Sequence, residues 1–380
     1  MNSYLPYSRQ YIDEYDIEAV VNVLKSDIIT QGSKIKEFED AIADYAGAKY
    51  AVAFNSGTSA LHSSMFALDI KNKDQVITSP NTFCATSNSV LYQNAEPVFS
   101  DIDLNTYNLD IDLIDSVINK NTKAIIPVHF AGRPCDMDKL DAIKKKYKLF
   151  IVEDACHAIG AVYKNKKIGS ISDITCFSFH PVKNITTGEG GIAVTNSLDL
   201  YQKMLQFRTH GITKDESLLC QNDGPWFYEM HYLGYNYRMT DFQAALGLSQ
   251  LKKLPHFINC RNEIADLYYQ KLKDIEEIVL PDKFNISEGV HAYHLFVIRI
   301  KNNKRKQVFE KLRKNNLGVN VHYIPVYNHP YYKNTGFGRY KDICKNMETY
   351  YSECISIPIY PKMQDNDTKR VADLLKKTCK

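Results

Sequence analysis

No apolar run in this sequence reaches membrane-spanning length, and the opening MNSYLPYSRQ lacks the charged start and apolar core of a signal peptide. Both absences predict a cytoplasmic protein with no membrane partner. Nine cysteines are present, an odd number without a C-x-x-C pair, which fits reduced thiols better than a disulfide framework or a zinc site. Excess charge of one sign is also missing, with 47 Lys plus Arg against 44 Asp plus Glu. The one dense basic cluster, Lys144 to Lys148, ends an amphipathic helical stretch and reads as a solvated face, so nucleic acid is a poor partner. There is no internal repeat and no low-complexity linker.

What is present is an α/β rhythm. The chain has 380 residues, 44% hydrophobic and 24% charged, enough for one large domain and a smaller one. Short apolar runs at residues 50–54, 75–78, 97–100, 124–128, 150–153, 174–179 and 191–195 predict strands, and 58–68, 112–118 and 136–146 predict helices between them. Continuous Val/Ile/Phe runs imply strands covered on both faces, hence a mainly parallel sheet with its ligand site beyond the carboxyl ends of the strands. Residues 16–26 and 34–45 read as helices, preceded by an extended arm over 4–10. Helices over 240–253 and 260–272, interrupted near Pro255, lead into a second unit with strands at 294–300, 319–323 and 357–359 and a helix over 304–315. The domains expected are 1–250, carrying the arm, and 251–380.

Four strand ends carry candidate chemistry. After Phe54 come Asn55, Ser56, Gly57, Thr58 and Ser59, where a helix start with a glycine and hydroxyls suits a phosphate, or is simply a helix cap. After Thr78, Phe83 suits stacking on an aromatic ring, or core packing. After the apolar run 150–152, Asp154 suits a protonated ring nitrogen that needs a fixed carboxylate, and His157 either bonds the ring hydroxyl or supports the loop. A metal-binding trio of Glu153, Asp154 and His157 lacks a second ligand cluster. The fourth end is FSFHPVKNITTGEGG, in which Ser178 precedes Lys183 on a Gly-rich loop. A lysine held there and partly desolvated becomes a nucleophilic amine, whereas most of the 37 lysines are solvated surface groups. Together these ends describe a pyridoxal 5'-phosphate (PLP) site.

These segments, with PYSRQYIDEYDIEAV, DIITQG, NSGTSALH, PNTFCATSN, VEDACHA and GYNYRMTDFQAALG, resemble the DegT/DnrJ/EryC1/StrS sugar-nucleotide aminotransferases over nearly the whole chain. The resemblance implies the aspartate aminotransferase fold type I. It also implies a covalent lysine at Lys183, ring contacts from Phe83, Asp154 and His157, and phosphate contacts from Thr58, Ser59 and Ser178, beside Gly57. Asn236 would reach the cofactor from the neighbouring subunit, making a homodimer with shared sites. Family dehydratases carry histidine in place of the lysine, so transamination is the better reading here, with a lyase or a non-catalytic binding module as rivals. Tyr7, Thr30, His322 and Tyr323 fall where the members that serve pseudaminic acid biosynthesis meet their UDP-linked 4-keto sugar. His322 and Tyr323 are equally well explained as an aromatic strand end. Glutamate is the implied amino donor, with Arg208 and Arg238 as candidates for its second carboxylate. SFHPVKN also resembles the enzymes acting on a UDP-pentos-4-ulose, and Gly57 and Gly188 stand where some members carry alanine.

Overall fold

The computed structural model describes residues 3–379. Fifteen strands follow in chain order: β1 (Tyr50–Phe54), β2 (Gln75–Thr78), β3 (Glu96–Phe99), β4 (Thr122–Ile126), β5 (Phe150–Asp154), β6 (Val162–Tyr163), β7 (Lys166–Lys167), β8 (Ile174–Ser178), β9 (Gly191–Thr195), β10 (Ile212–Thr213), β11 (Glu229–Met230), β12 (Ile278–Val279), β13 (Gly289–Val290), β14 (Phe296–Ile300) and β15 (Cys354–Ile357). Seven of them form the central sheet in the order β1-β9-β8-β5-β4-β2-β3. Only β9 runs against the rest, pairing antiparallel with both β1 and β8. The sheet is therefore mainly parallel, as expected from its Val/Ile-rich strands. These strands are buried almost throughout, because helices cover both faces.

The helices that matter for the site are α1 (Glu14–Leu24), α2 (Ser33–Ala46), α3 (Gly57–Ala67), α4 (Ala85–Leu91), α5 (Met137–Tyr147), α6 (Leu198–Arg208), α7 (Asp241–Leu251), α8 (Leu254–Leu272) and α9 (Arg305–Lys314). Asp13 caps α1 by accepting the N–H of Asp16, and Thr240 caps α7 in a reciprocal box with Gln243. Pro255 does not interrupt a helix. It sits in the first turn of α8, where the missing N–H costs no hydrogen bond, so the helix begins earlier than 260. Residues 111–116 form a 3-10 helix rather than an α-helix, since the Asp110 side chain accepts the N–H of Asp112 and tightens the turn.

Two main apolar cores are joined by α8. Its Leu254, Phe257 and Ile258 pack with the central sheet, while Ile264, Ala265, Tyr268 and Leu272 pack with β14, β15 and the C-terminal helix Asp365–Cys379. At the midpoint, the fully buried Arg261 donates through Nη1 to the carbonyls of Tyr293 (3.1 Å), His294 (3.4 Å) and Ile359 (3.0 Å). The N-terminal arm belongs with the second core. Leu5 is buried there, accepts the N–H of Gly318 at 2.7 Å and donates its own to Asn316 at 3.0 Å.

The strand expected over 319–323 is absent. Asn320 makes a single bridge to Ser356, and beyond it side chains rather than a ladder hold the segment. The strand expected at 357–359 lies earlier, as β15. Among the described residues, no helix is long and apolar enough to cross a membrane. Lys144, Lys145 and Lys146 pair with Asp173, Asp141 and Asp115, so that cluster is a neutralised face.

Candidate active site

A cavity of about 670 Å³ opens at the carboxyl ends of the central strands. It is lined by Tyr7, Gly57, Thr58, Phe83, Asp154, His157, Ser178, Lys183, His322 and Tyr323, which gathers ten of the thirteen residues singled out in the sequence.

One wall is the start of α3. Ser56 caps the helix by accepting the N–H of Ser59 at 3.1 Å, which leaves the N–H groups of Gly57 and Thr58 for a ligand, because a first helical turn offers them no acceptor. Ser178 closes this cup: a Cβ placed on Gly57 would lie 3.0 Å from its Cβ. Ser59 does not line the cavity. Its hydroxyl donates to Asn55 Oδ1 at 2.6 Å, so it supports the cup from behind.

The lysine loop is the return from β8 to β9. The Phe179 carbonyl accepts the N–H of Thr187 at 3.0 Å and the hydroxyl of Thr186 at 2.9 Å, and Asn184 Nδ2 donates to the carbonyls of Ile159 and Ala292, each at 3.2 Å. From the arm, Ser8 donates to the Val182 carbonyl at 3.2 Å. Lys183 is thus half-buried on a loop fixed at both sides. Burial lowers its pKa, while Cys156 and Asp154 pull it back up. The amine is therefore easier to deprotonate than a solvated lysine.

Asp154 ends β5 with both oxygens engaged: the Thr86 hydroxyl donates to Oδ2 at 2.6 Å and the Cys156 N–H to Oδ1 at 3.1 Å. Its neighbour Glu153 faces the other way, meeting His129 Nε2 at 2.7 Å and the Thr175 hydroxyl at 2.8 Å in a sealed interior. A metal trio of Glu153, Asp154 and His157 is therefore not assembled. His157 Nδ1 accepts the Ala131 N–H at 3.3 Å, which assigns the ring proton to Nε2, 3.1 Å from Tyr323 Oη. Its ring packs 4.4 Å from that of His294, a cavity-lining residue that the sequence reading passed over as a strand start.

His322 Nδ1 meets Ser356 Oγ at 2.7 Å, and its ring lies 5.5 Å from that of Tyr7. Burial depresses His157 and His294 far below the usual range and His322 to about 3, with Lys183 adding to the effect on each. All three stay neutral near pH 7. Phe83 is not core: it is 59% exposed at the cavity wall, 6.2 Å from the Tyr323 ring.

Thr30 and Asn236 do not line the cavity. Thr30 is exposed and bridges Thr240, next to a second hollow that holds Gln31, Lys36, Arg208 and Arg238; the exposed Asn236 bridges Thr209, and its carbonyl lies 3.5 Å from Asn55 Nδ2 at the rim of the first cavity. Arg208 is already engaged, donating to Glu39 Oε1 at 2.6 Å and the Ala53 carbonyl at 2.9 Å. It is not a free carboxylate clamp.

The DegT/DnrJ/EryC1/StrS aminotransferase family model matches residues 10–376. The chain belongs to this family. The spore coat polysaccharide biosynthesis protein SpsC of Bacillus subtilis is 40% identical over 99% of this chain and 97% of its own. The UDP-4-amino-4,6-dideoxy-N-acetyl-beta-L-altrosamine transaminase of Campylobacter jejuni is 39% identical over 98% and 96%. Among solved structures, the Helicobacter pylori aminotransferase PseC, involved in the biosynthesis of pseudaminic acid, superposes with a TM-score of 0.91 at 32% identity, covering 99% of each chain. The protein is a PLP-dependent sugar aminotransferase of fold type I, and neighbours of this kind are known in PLP and PMP forms.

The residues fit that cofactor. A helix start with unpaired N–H groups, an oriented carboxylate and a half-buried amine of lowered pKa share one cavity large enough for a pyridine ring and a substrate. Thr86, in the first turn of α4 and 2.6 Å from the Thr82 hydroxyl, carries no signal of its own in the sequence, because β2 already ends at Thr78. Replacing Thr86 with Val removes one donor from Asp154 while preserving shape. The expected result is a roughly tenfold fall in kcat, corresponding to about 1.4 kcal/mol, with the fold intact by circular dichroism. An unchanged kcat would show that Asp154 does not need this hydrogen bond.

Proposed function

We propose that the protein transfers the amino group of an amino acid, L-glutamate, to C4 of a UDP-linked 4-keto-6-deoxy-N-acetylhexosamine. The specific substrate is UDP-2-acetamido-2,6-dideoxy-β-L-arabino-hexos-4-ulose of pseudaminic acid biosynthesis. The observation that carries the chemistry is the half-buried Lys183 in one cavity with the doubly hydrogen-bonded Asp154. The sugar assignment rests on the altrosamine transaminase and PseC resemblances and on the aromatic end of the cavity, where Tyr7, His322 and Tyr323 offer neutral donors and ring faces to a sugar.

In this reading Gly57, Thr58 and Ser178 hold the cofactor phosphate, with Ser59 bracing them. Phe83 and His157 flank the ring, and Asp154 keeps its nitrogen protonated. PLP, when bound, supplies the aldehyde that accepts the amine and a ring that withdraws electrons from the reacting carbon. Lys183 Nζ holds the cofactor at rest, and once freed takes the proton from the donor's α-carbon. In the second half it delivers a proton to C4 of the sugar. The balance is one amino acid and one 4-keto sugar consumed, one 2-oxo acid and one 4-amino sugar formed. Neutral His157, His294 and His322 place no second cation beside Lys183, which keeps its amine available as a base.

The domains are 1–250 and 251–380, joined through α8, and the enzyme acts as a cytoplasmic homodimer. The exposed Thr30 and Asn236 belong to the partner's cavity: Asn236 completes its phosphate site and Thr30 its sugar-nucleotide site. This reading accounts for their lying outside the cavity of their own chain. Mixed dimers of Asn236→Ala and Lys183→Ala chains carry one intact site each and regain up to half of the activity per hybrid. No recovery above the parental variants would confine each site to one chain.

Purified enzyme, supplied with glutamate and a panel of UDP- and dTDP-linked 4-keto sugars, is expected to favour the UDP-linked N-acetylated hexos-4-ulose in kcat/KM. Preference for a UDP-pentos-4-ulose would overturn the pathway assignment, and a deoxy-keto product would replace transfer by elimination.

A further inference from the structure

The hairpin β10–β11 carries side chains that the transamination reading leaves unused. Glu229 and His231 stand two apart on an extended segment, so both point to one side. The His231 N–H donates to the Gly211 carbonyl at 2.8 Å, fixing this segment against the turn before β10. On that side His231 Nε2 lies 2.8 Å from Glu229 Oε2. The connection over 214–228 then folds back over the pair. The Cys220 N–H reaches Glu229 Oε1 and Oε2 at 3.0 and 2.9 Å, and the Gln221 N–H reaches Oε1 at 3.1 Å. The result is that a thiol, an imidazole nitrogen and a carboxylate oxygen all lie within 4.8 Å of one another.

We propose that Cys220, Glu229 and His231 bind a zinc ion, with a fourth position left to water. Tetrahedral zinc bonds of about 2.0–2.3 Å set neighbouring ligand atoms about 3.3–3.8 Å apart, so the thiol has to close by about 1 Å and the His231–Glu229 pair, at 2.8 Å, has to open by about 0.5 Å. The ion replaces the hydrogen bond between His231 and Glu229 with two metal bonds, while the backbone N–H groups of Cys220 and Gln221 continue to orient the carboxylate from outside. A thiolate, an imidazole and a carboxylate together favour zinc over magnesium or calcium, which prefer oxygen alone.

The ion acts as a staple. Apart from its own local turns and the Asp215 N–H to Thr213, the described hydrogen bonds of 214–228 all run to Glu229. This stretch also displays Trp226 and Tyr228, both exposed. A metal crosslink from Cys220 to β11 therefore fixes where these rings stand. Only one cysteine takes part, and its partners come from across a loop, so cysteine spacing in the sequence gave no sign of it.

Holoenzyme freed of metals by a chelator and desalted is titrated with zinc chloride by calorimetry. The expected result is one ion per chain with Kd at or below about 1 µM, weakened about a hundredfold or more in each of Cys220→Ser and His231→Asn. Zinc also slows tryptic cleavage after Lys214 in the wild type and in neither variant, while magnesium does nothing. None of the three ligands lines the cavity that holds Lys183, so bound-cofactor absorbance in the variants verifies folding independently of the sugar assignment. No saturable zinc binding, a Kd above about 100 µM, or unaltered binding in either variant overturns the site.

Discussion

The centre of this protein depends on one backbone contact. A Cβ on Gly191 would lie 2.4 Å from the Ser56 carbonyl carbon and oxygen and 2.5 Å from the Gly57 nitrogen, so only glycine lets β9 pass this close to the start of α3. The same residue pairs with Phe54 on one side and Ser178 on the other. One position thus sets the start of α3, which follows Phe54, beside the loop that leaves Ser178 and carries Lys183. Because β9 is the one reversed strand, that loop returns to the carboxyl end of the sheet, where the ends of β2 and β5 deliver Phe83 and Asp154. A side chain at Gly191 would force apart the two halves of the site.

Around this contact the electrostatics are arranged by burial more than by pairing. Desolvation lowers Lys183 although Cys156 and Asp154 oppose it, and desolvation also holds the three cavity histidines well below their usual range. Where desolvation is strong, adding a second cation is costlier than losing a proton, so the neutral forms win. The Thr86 hydroxyl and the Cys156 N–H both donate to Asp154 and fix the direction of its carboxylate. The cavity therefore holds an oriented carboxylate and an amine of lowered basicity together.

Much of this was legible in the sequence because it lies in local order: apolar runs end in chemistry-bearing residues, and a parallel sheet puts those ends on one edge. Gly57, Thr58, Phe83, Asp154, His157, Ser178 and Lys183 follow that rule. What escaped depends on contacts between distant segments. The reversal of β9 is invisible in a five-residue apolar run whose pattern is the same in either direction. Ser59 looked like a phosphate ligand, but helix geometry turns its hydroxyl back to Asn55. Residues 319–323 carried strand composition, yet Ser356 and Tyr350 hold them by side chains. The arm offered no sign that Leu5 would seat in the C-terminal core, and Thr86 gained meaning only once β5 brought Asp154 to it. Thr30 and Asn236 do not line the cavity of their own chain, which no periodicity in the sequence expresses.

The central claim is that Lys183, out of 37 lysines, is the one that holds the cofactor. Borohydride reduction of the holoenzyme locks the bond between lysine and PLP, and peptide mass mapping then locates it. The account predicts a stoichiometric phosphopyridoxyl group on Lys183, with labelling abolished when glutamate is added first. A label on another lysine, or one spread over several, would contradict it.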